Sequence, residues 1–236
     1  MIDINCDVGE GLNNEHLLMP YISSCNIACG GHAGDKKTMA HVVSLALNYN
    51  VKIGAHPSYP DKENFGRKSI QISNEDLKES ILNQVNSLEE VMNRFNVKLH
   101  HIKPHGALYN DLANDQFLAL RFLKIIDKYK VTCFLYAPYG SAIAKEAKKN
   151  SFNIIYEVFA DRNYNEDLSL VSRQHTSAIL THVDDIIKHV LLIKNQGFVK
   201  TISGKEVPLK GDTFCVHSDT PNAIEIVKYL VKKFNS

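Results

Sequence analysis

The sequence predicts an α/β protein whose parallel strands close into an irregular or partly open barrel. Short runs rich in β-branched and aromatic residues alternate with longer stretches of helical periodicity, the pattern of strands joined by helical crossovers. Polar residues recur at or just beyond the carboxyl ends of these strands: Asn5 and Asp7, Asn26, His56, Lys103 and His105, Tyr136, Glu157 and His217. In a doubly wound sheet only the strands at the switch point feed a site, whereas many strand ends converge on the mouth of a barrel. The 236 residues support one substantial core, read as a single domain over 1–236, and this modest length argues against a regular eightfold barrel.

Strands are expected at residues 2–6, 25–28, 51–55, 98–102, 131–136, 153–158, 178–180 and 213–217, the seventh of these being the weakest. The clearest helix starts after Ser73, whose hydroxyl caps it with Asp76 three residues on. Leu77, Ile81, Val85, Leu88, Val91 and Phe95 then share the face that packs on the sheet. Residues 199–209 hold two short extended runs around Ser203, Gly204 and Lys205, the signature of a β-hairpin. The last helix is expected to begin at Thr220 as cap, with Pro221 in its first turn, and to turn Ala223, Ile224, Val227, Leu230, Val231 and Phe234 inward.

Composition narrows the function. Twenty-seven Lys and Arg against 26 Asp and Glu give a net charge of +1, without the basic excess of a nucleic-acid surface. No apolar run reaches membrane-span length and Met1 to Asn5 do not read as a signal peptide, so the expected location is the cytoplasm. Five scattered cysteines read as small hydrophobic thiols in a reducing compartment.

Six clusters carry the chemistry. Period-two alternation sends Asp3, Asn5 and Asp7 to one side of the first strand; carboxylates there serve as base or metal ligand, or else Asp7 and Glu10 cap the following turn. The glycine-rich turn Cys29 to Asp35 offers amides to an anion, with His32 as its one reactive side chain and Asp35 as a helix cap. His56 ends a strand in a loop held by Pro57 and Pro60. Alternation places His101 and Lys103 on one face and His100 on the other, and brings Lys103 and His105 to the mouth. There a lysine polarises a carbonyl and a histidine moves protons, or else Lys103 pairs with Asp7 or Glu157. Asp161 and Arg162 form either a loop ion pair or, through Arg162, an anion clamp. The segment His217 to Pro221 joins the last strand to the last helix, where Asp219 suits a metal or an ammonium group.

Together these motifs resemble the LamB/YcsF family. The resemblance rests on Asn5 to Glu10, Asn26 to Gly30 with His32 to Asp35, Ile53 to Asp61, Lys103 to Tyr109, Glu157 to Arg162 with Tyr164, and Cys215 to His217, in the family's order over almost the whole chain. It implies a seven-stranded β/α, TIM-like barrel similar to the glycoside hydrolase and deacetylase superfamily. It also implies ATP-driven cleavage of 5-oxoproline to glutamate, with ATP and Mg2+ as co-substrate and two partner subunits, B and C, of a 5-oxoprolinase. The sequence departs from the family's usual Phe at Gly31, its Pro-Gly-Ala turn near Thr176 to Ala178, and its glycines at Ser218 and Asn222.

An unstrained lactam is a poor electrophile, which gives the ATP a purpose. Catalysis is expected from Asp7, Lys103, His105, Glu157 and Arg162, with Lys103 and Arg162 holding negative charge and Asp7 or His105 activating water. Asn5, Asn26, His32, Tyr109, Asp161 and His217 are expected to contact substrate. The competing expectation is a metal-dependent deacetylase or amidohydrolase using Asp7, His56 and His105 as ligands; a third is a binding module that delivers oxoproline to catalytic partners.

Overall fold

Seven parallel strands close a barrel: β1 (Ile4–Val8), β2 (Ser24–Ala28), β3 (Lys52–His56), β4 (His101–Ile102), β5 (Phe134–Pro138), β6 (Asn153–Phe159) and β9 (Thr213–Cys215). Each pairs with the next, and β9 returns to β1 through Ile4 opposite Phe214. This computed structural model describes residues 1–235. The barrel predicted from the convergence of polar strand ends is therefore present, and closed.

The eight expected strands include one that does not join it. Residues 178–180 make only an isolated bridge, Ile179 opposite Arg162, within a segment whose amides bond back onto its own carbonyls, as Asn163 N does to Ala178 O. That segment lies over the mouth. The hairpin is as expected, with β7 (Phe198–Lys200) antiparallel to β8 (Glu206–Pro208).

The helices are α1 (Glu15–Leu18), α2 (Lys36–Asn48), α3 (Asn74–Asn93), α4 (Gly106–Asn114), α5 (Gln116–Ile125), α6 (Ala142–Lys149), α7 (Val183–Leu191) and α8 (Ala223–Asn235), with α4 and α5 in succession between β4 and β5. Ser73 caps α3 by accepting from Asp76 N, and Leu77, Ile81, Val85, Leu88 and Val91 are fully buried along it. Each such side chain contributes roughly 1.5–3 kcal/mol by leaving water, and Leu88→Ala would cost about 2–5 kcal/mol. Phe95 departs from the expected face: α3 ends at Asn93, and the ring is 38% exposed beyond it. The last helix starts at Ala223 rather than at Thr220, because the Thr220 hydroxyl donates to Asp161 and Asn222 adopts a left-handed φ of +62°. Ala223, Val227 and Leu230 are buried as expected, joined by Ile226, while Ile224, Val231 and Phe234 are half-buried.

Candidate active site

Register builds the floor of the site. Asp7 pairs with Asn26, Asn26 with Gly54, and Gly54 with His101, so four consecutive strands contribute one row. A side chain at Gly54 would fall inside the His101 ring. Glycine there lets that ring pass over β3 and donate from Nε2 to Asn26 Oδ1 at 2.6 Å. The amide of Asn26 then donates 2.8 Å bonds to Asn5 Oδ1 and Asp7 Oδ1. His101 stacks on Tyr136, with ring centroids 3.9 Å apart, and accepts from His100 Nδ1. Burial pushes the His101 pKa well down, so it is a neutral strut.

Lys103 stands on this floor. Its ammonium lies 2.8 Å from Asp7 Oδ1, 2.8 Å from Glu157 Oε1 and 3.2 Å from Cys215 Sγ. Burial alone would lower its pKa, but Asp7, Cys215 and Glu157 outweigh that and hold it well above the ordinary value. Burial likewise raises the Asp7 carboxyl, and His56 and Lys103 reverse the effect, leaving it well below the carboxylate range. The ion pairing of Lys103 is thus with both expected carboxylates, inside the mouth. Tyr109 is buried beside it, its phenol raised by burial and then by the charge of Glu157.

A second group stands alongside. His56 Nδ1 donates to Lys103 O at 2.7 Å and His105 Nε2 donates to Phe65 O at 3.0 Å. Their other nitrogens face each other at 3.0 Å. Glu10 Oε1 is 3.4 Å from His105 Nδ1, and it accepts from His32 Nε2 at 2.9 Å. His32 stacks flat on His105, and burial lowers its pKa to about 2. Asp7 approaches His56 Nε2 to 3.4 Å, but Lys103 and Asn26 already occupy the same oxygen. Glu10 Oε1 is also 3.9 Å from His56 Nε2, so Glu10 is the carboxylate that faces both histidines, whereas Asp7 approaches His56.

Around these groups lies a cavity of about 1010 Å3, whose wall includes Asp7, Glu10, His56, Lys103, His105 and Glu157. Three of the expected residues are held by partners within the protein. Arg162 gives Nη2 to Val171 O and Nε to Ala178 O, so it pins the loop over the mouth instead of pairing with Asp161. Asp161 accepts from His217 N, His217 Nδ1 and the Thr220 hydroxyl, holding the β9–α8 connection with its carboxyl below the usual range. Asp219 accepts from Arg67 and Arg173, so its partners are guanidinium groups. The glycine-rich turn closes on itself through Gly30 N to Ala33 O; Asp35 caps α2 as expected. In the sequence Glu10 reads as a turn cap and as the end of the Asn5 to Glu10 motif, and Arg173 carries no signal, since only folding carries the 161–180 loop over the mouth.

The fold and site define a β/α-barrel protein with a buried, charged centre at the carboxyl ends of its strands. The LamB/YcsF family pattern matches residues 2–236, and the chain belongs to that family. It is 40% identical over 239 residues to the A component of 5-oxoprolinase from Thermococcus sibiricus, covering 98% of this chain and 93% of that protein. It is 39% identical over 231 residues to the A component of 5-oxoprolinase from Staphylococcus aureus, covering 96% and 92%. The crystal structure of the lactam utilization protein from Thermus thermophilus superposes with a TM-score of 0.91 at 28% identity, over 99% of this chain and 97% of that one.

Gly31 and Asn222, both expected from the sequence to depart from the family it resembles, each have a defined physical setting here. At Gly31 a Cβ would meet Gln84 and the Ser58 hydroxyl: Gln84 fills that space, bonding Ser58 N and Ser58 O. At Asn222 the left-handed backbone is one that asparagine tolerates better than most residues.

Proposed function

We propose that this chain is the A component of an ATP-dependent 5-oxoprolinase, converting 5-oxo-L-proline, ATP and two waters to L-glutamate, ADP and phosphate together with two partner subunits, B and C. The observation that carries the reading is the buried Lys103 ammonium held between Asp7 and Glu157 on the cavity wall. The full-length likeness to proteins named as the A component of 5-oxoprolinase supports it.

In this reading the γ-phosphoryl of ATP, carried with Mg2+, moves to the lactam oxygen and ADP leaves. Water then adds to the ring carbon, the C–N bond breaks as nitrogen takes a proton, and a second water hydrolyses the acyl phosphate. Lys103 holds the negative oxygen in a site where few waters compete. Asp7, kept ionised, or His105, kept neutral by burial and its neighbouring histidines, takes the proton from water. Asn5 and Asn26 act by fixing Asp7, since their amide groups are engaged with each other, with Asp7, His101 and Thr213.

The test is 5-oxoproline-dependent ATP hydrolysis and glutamate release, assayed with this chain alone and with both partners. Turnover only in the mixture is the expected result. No turnover in either, with metal-dependent release of acetate from amino sugars, would move the site to the deacetylase class.

A further inference from the structure

His56 and His105 present a problem of charge that hydrogen bonding alone leaves unsolved. A carbonyl oxygen accepts, so His56 Nδ1 and His105 Nε2 must carry the protons they donate to Lys103 O and Phe65 O. The facing atoms, His56 Nε2 and His105 Nδ1, are then two lone pairs 3.0 Å apart. Glu10 Oε1 adds negative charge 3.4 Å from one and 3.9 Å from the other. Lys103, which neutralises Asp7 and Glu157, has no contact with this carboxylate among the described residues. Three acceptor atoms converge and no donor stands between them.

We infer that His56 Nε2, His105 Nδ1 and Glu10 Oε1 bind one divalent first-row transition cation, with His32 orienting Glu10. A single added proton satisfies one of the contacts at a time, whereas an ion satisfies all three. Bonds of about 2.1 Å at tetrahedral angles set ligand atoms roughly 3.4 Å apart, the middle of the spacing found here. Two imidazoles and a carboxylate suit zinc, manganese or iron in the divalent state. Both histidines already have the partner on the opposite ring nitrogen that fixes a ligand's tautomer, and His32 Nε2 supplies the same support to the carboxylate. The three ligand residues line the cavity, so the coordination left open faces substrate. The ligand set differs from the one the sequence suggested, because Asp7 is turned to Lys103 and Asn26.

The binding site is independent of the lactam reading; what the ion would do there, polarising a bound oxygen or water, rests on it, and with both His105 nitrogens engaged Asp7 is the base of that reading. Full-length protein, purified without a histidine tag or chelator, is analysed for metals. It is then stripped and titrated with Zn2+ and with Mn2+ by calorimetry. About one ion per chain is expected. Glu10→Gln and His105→Asn should weaken it at least about a hundredfold, and His32→Phe about tenfold to a hundredfold. His217→Gln, which alters the neighbouring Asp7, Cys215 and His217 cluster, should leave it unchanged. Circular dichroism shows which variants are folded. Absence of binding to folded wild type, or a loss in His217→Gln with full binding in Glu10→Gln, overturns the assignment. Ion binding without lactam turnover in the mixture with both partner subunits would instead sink the functional reading and leave the site standing.

Discussion

Lys103 Nζ donates to Asp7 Oδ1 at 2.8 Å, tying the end of β4 to the end of β1 across two intervening strands. Replacing Lys103 by Met leaves Asp7 and Glu157 buried without a counter-charge, at a cost of about 3–5 kcal/mol. The double variant Lys103→Met, Glu157→Gln should recover part of that stability and none of the turnover. Denaturant melts beside assays of the assembled complex separate the two effects. Unimpaired turnover in a folded Lys103→Met complex would remove the lysine from the chemistry.

Arg162 should act through the loop that it holds. Arg162→Lys loses the fork that spans Val171 O and Ala178 O, so amides of residues 163–180 should exchange with solvent faster while β1 to β6 keep their protection. Turnover lost without any change in that exchange would restore the direct role in holding charge.

Acid should destabilise the fold earlier than its carboxylates alone would dictate. His101 and His189 have pKa values lowered, first of all by burial, so the native state refuses protons that the unfolded chain accepts below about pH 6.5. Stability therefore falls as pH drops through that value, by up to about 1.4 kcal/mol per pH unit for each such group until its own folded pKa is reached. Asp161 works in the same direction but at lower pH: its depressed pKa adds stability that persists through this window and fades only below about pH 4. His189→Gln keeps a donor for Phe159 O and should flatten the pH 7 to pH 5 slope seen in urea melts.

Gly54→Ala should disrupt the floor. The added methyl falls within the His101 ring, and overpacking of this kind costs about 1–3 kcal/mol. A lowered melting temperature together with reduced turnover is expected, because His101 supports Asn26 and Asn26 supports Asp7. A melting temperature equal to wild type would contradict that packing.

Asn222→Ala should cost about 1–2 kcal/mol, since alanine lacks the tolerance for a left-handed backbone, and Asn222→Gly should cost far less. Equal stability of the two variants in thermal melts would mean that φ at this position is not what selects the residue.

Much of the barrel was legible because strand and helix are local patterns. All seven barrel strands overlap runs read as strands in the sequence, and Ser73 and Asp35 announced the helices they cap. Residues 178–180 misled because three residues fix a β-propensity but no neighbour, and their only bridge is to Arg162. Phe95 misled because helical periodicity continues past the point where the backbone leaves the helix.

The sequence by itself determined which side chains reach the mouth: alternation along a strand and the short distance beyond its end placed Asp7, His56, Lys103, His105 and Glu157 on the cavity wall. Only the tertiary structure decided how they pair. Asp7 and Lys103 are 96 positions apart, His56 and His105 are 49, and Asp161 turns to His217 rather than to the adjacent Arg162. Partner choice among buried charges follows from distance and desolvation, and both are set by barrel closure and by the register of its strands.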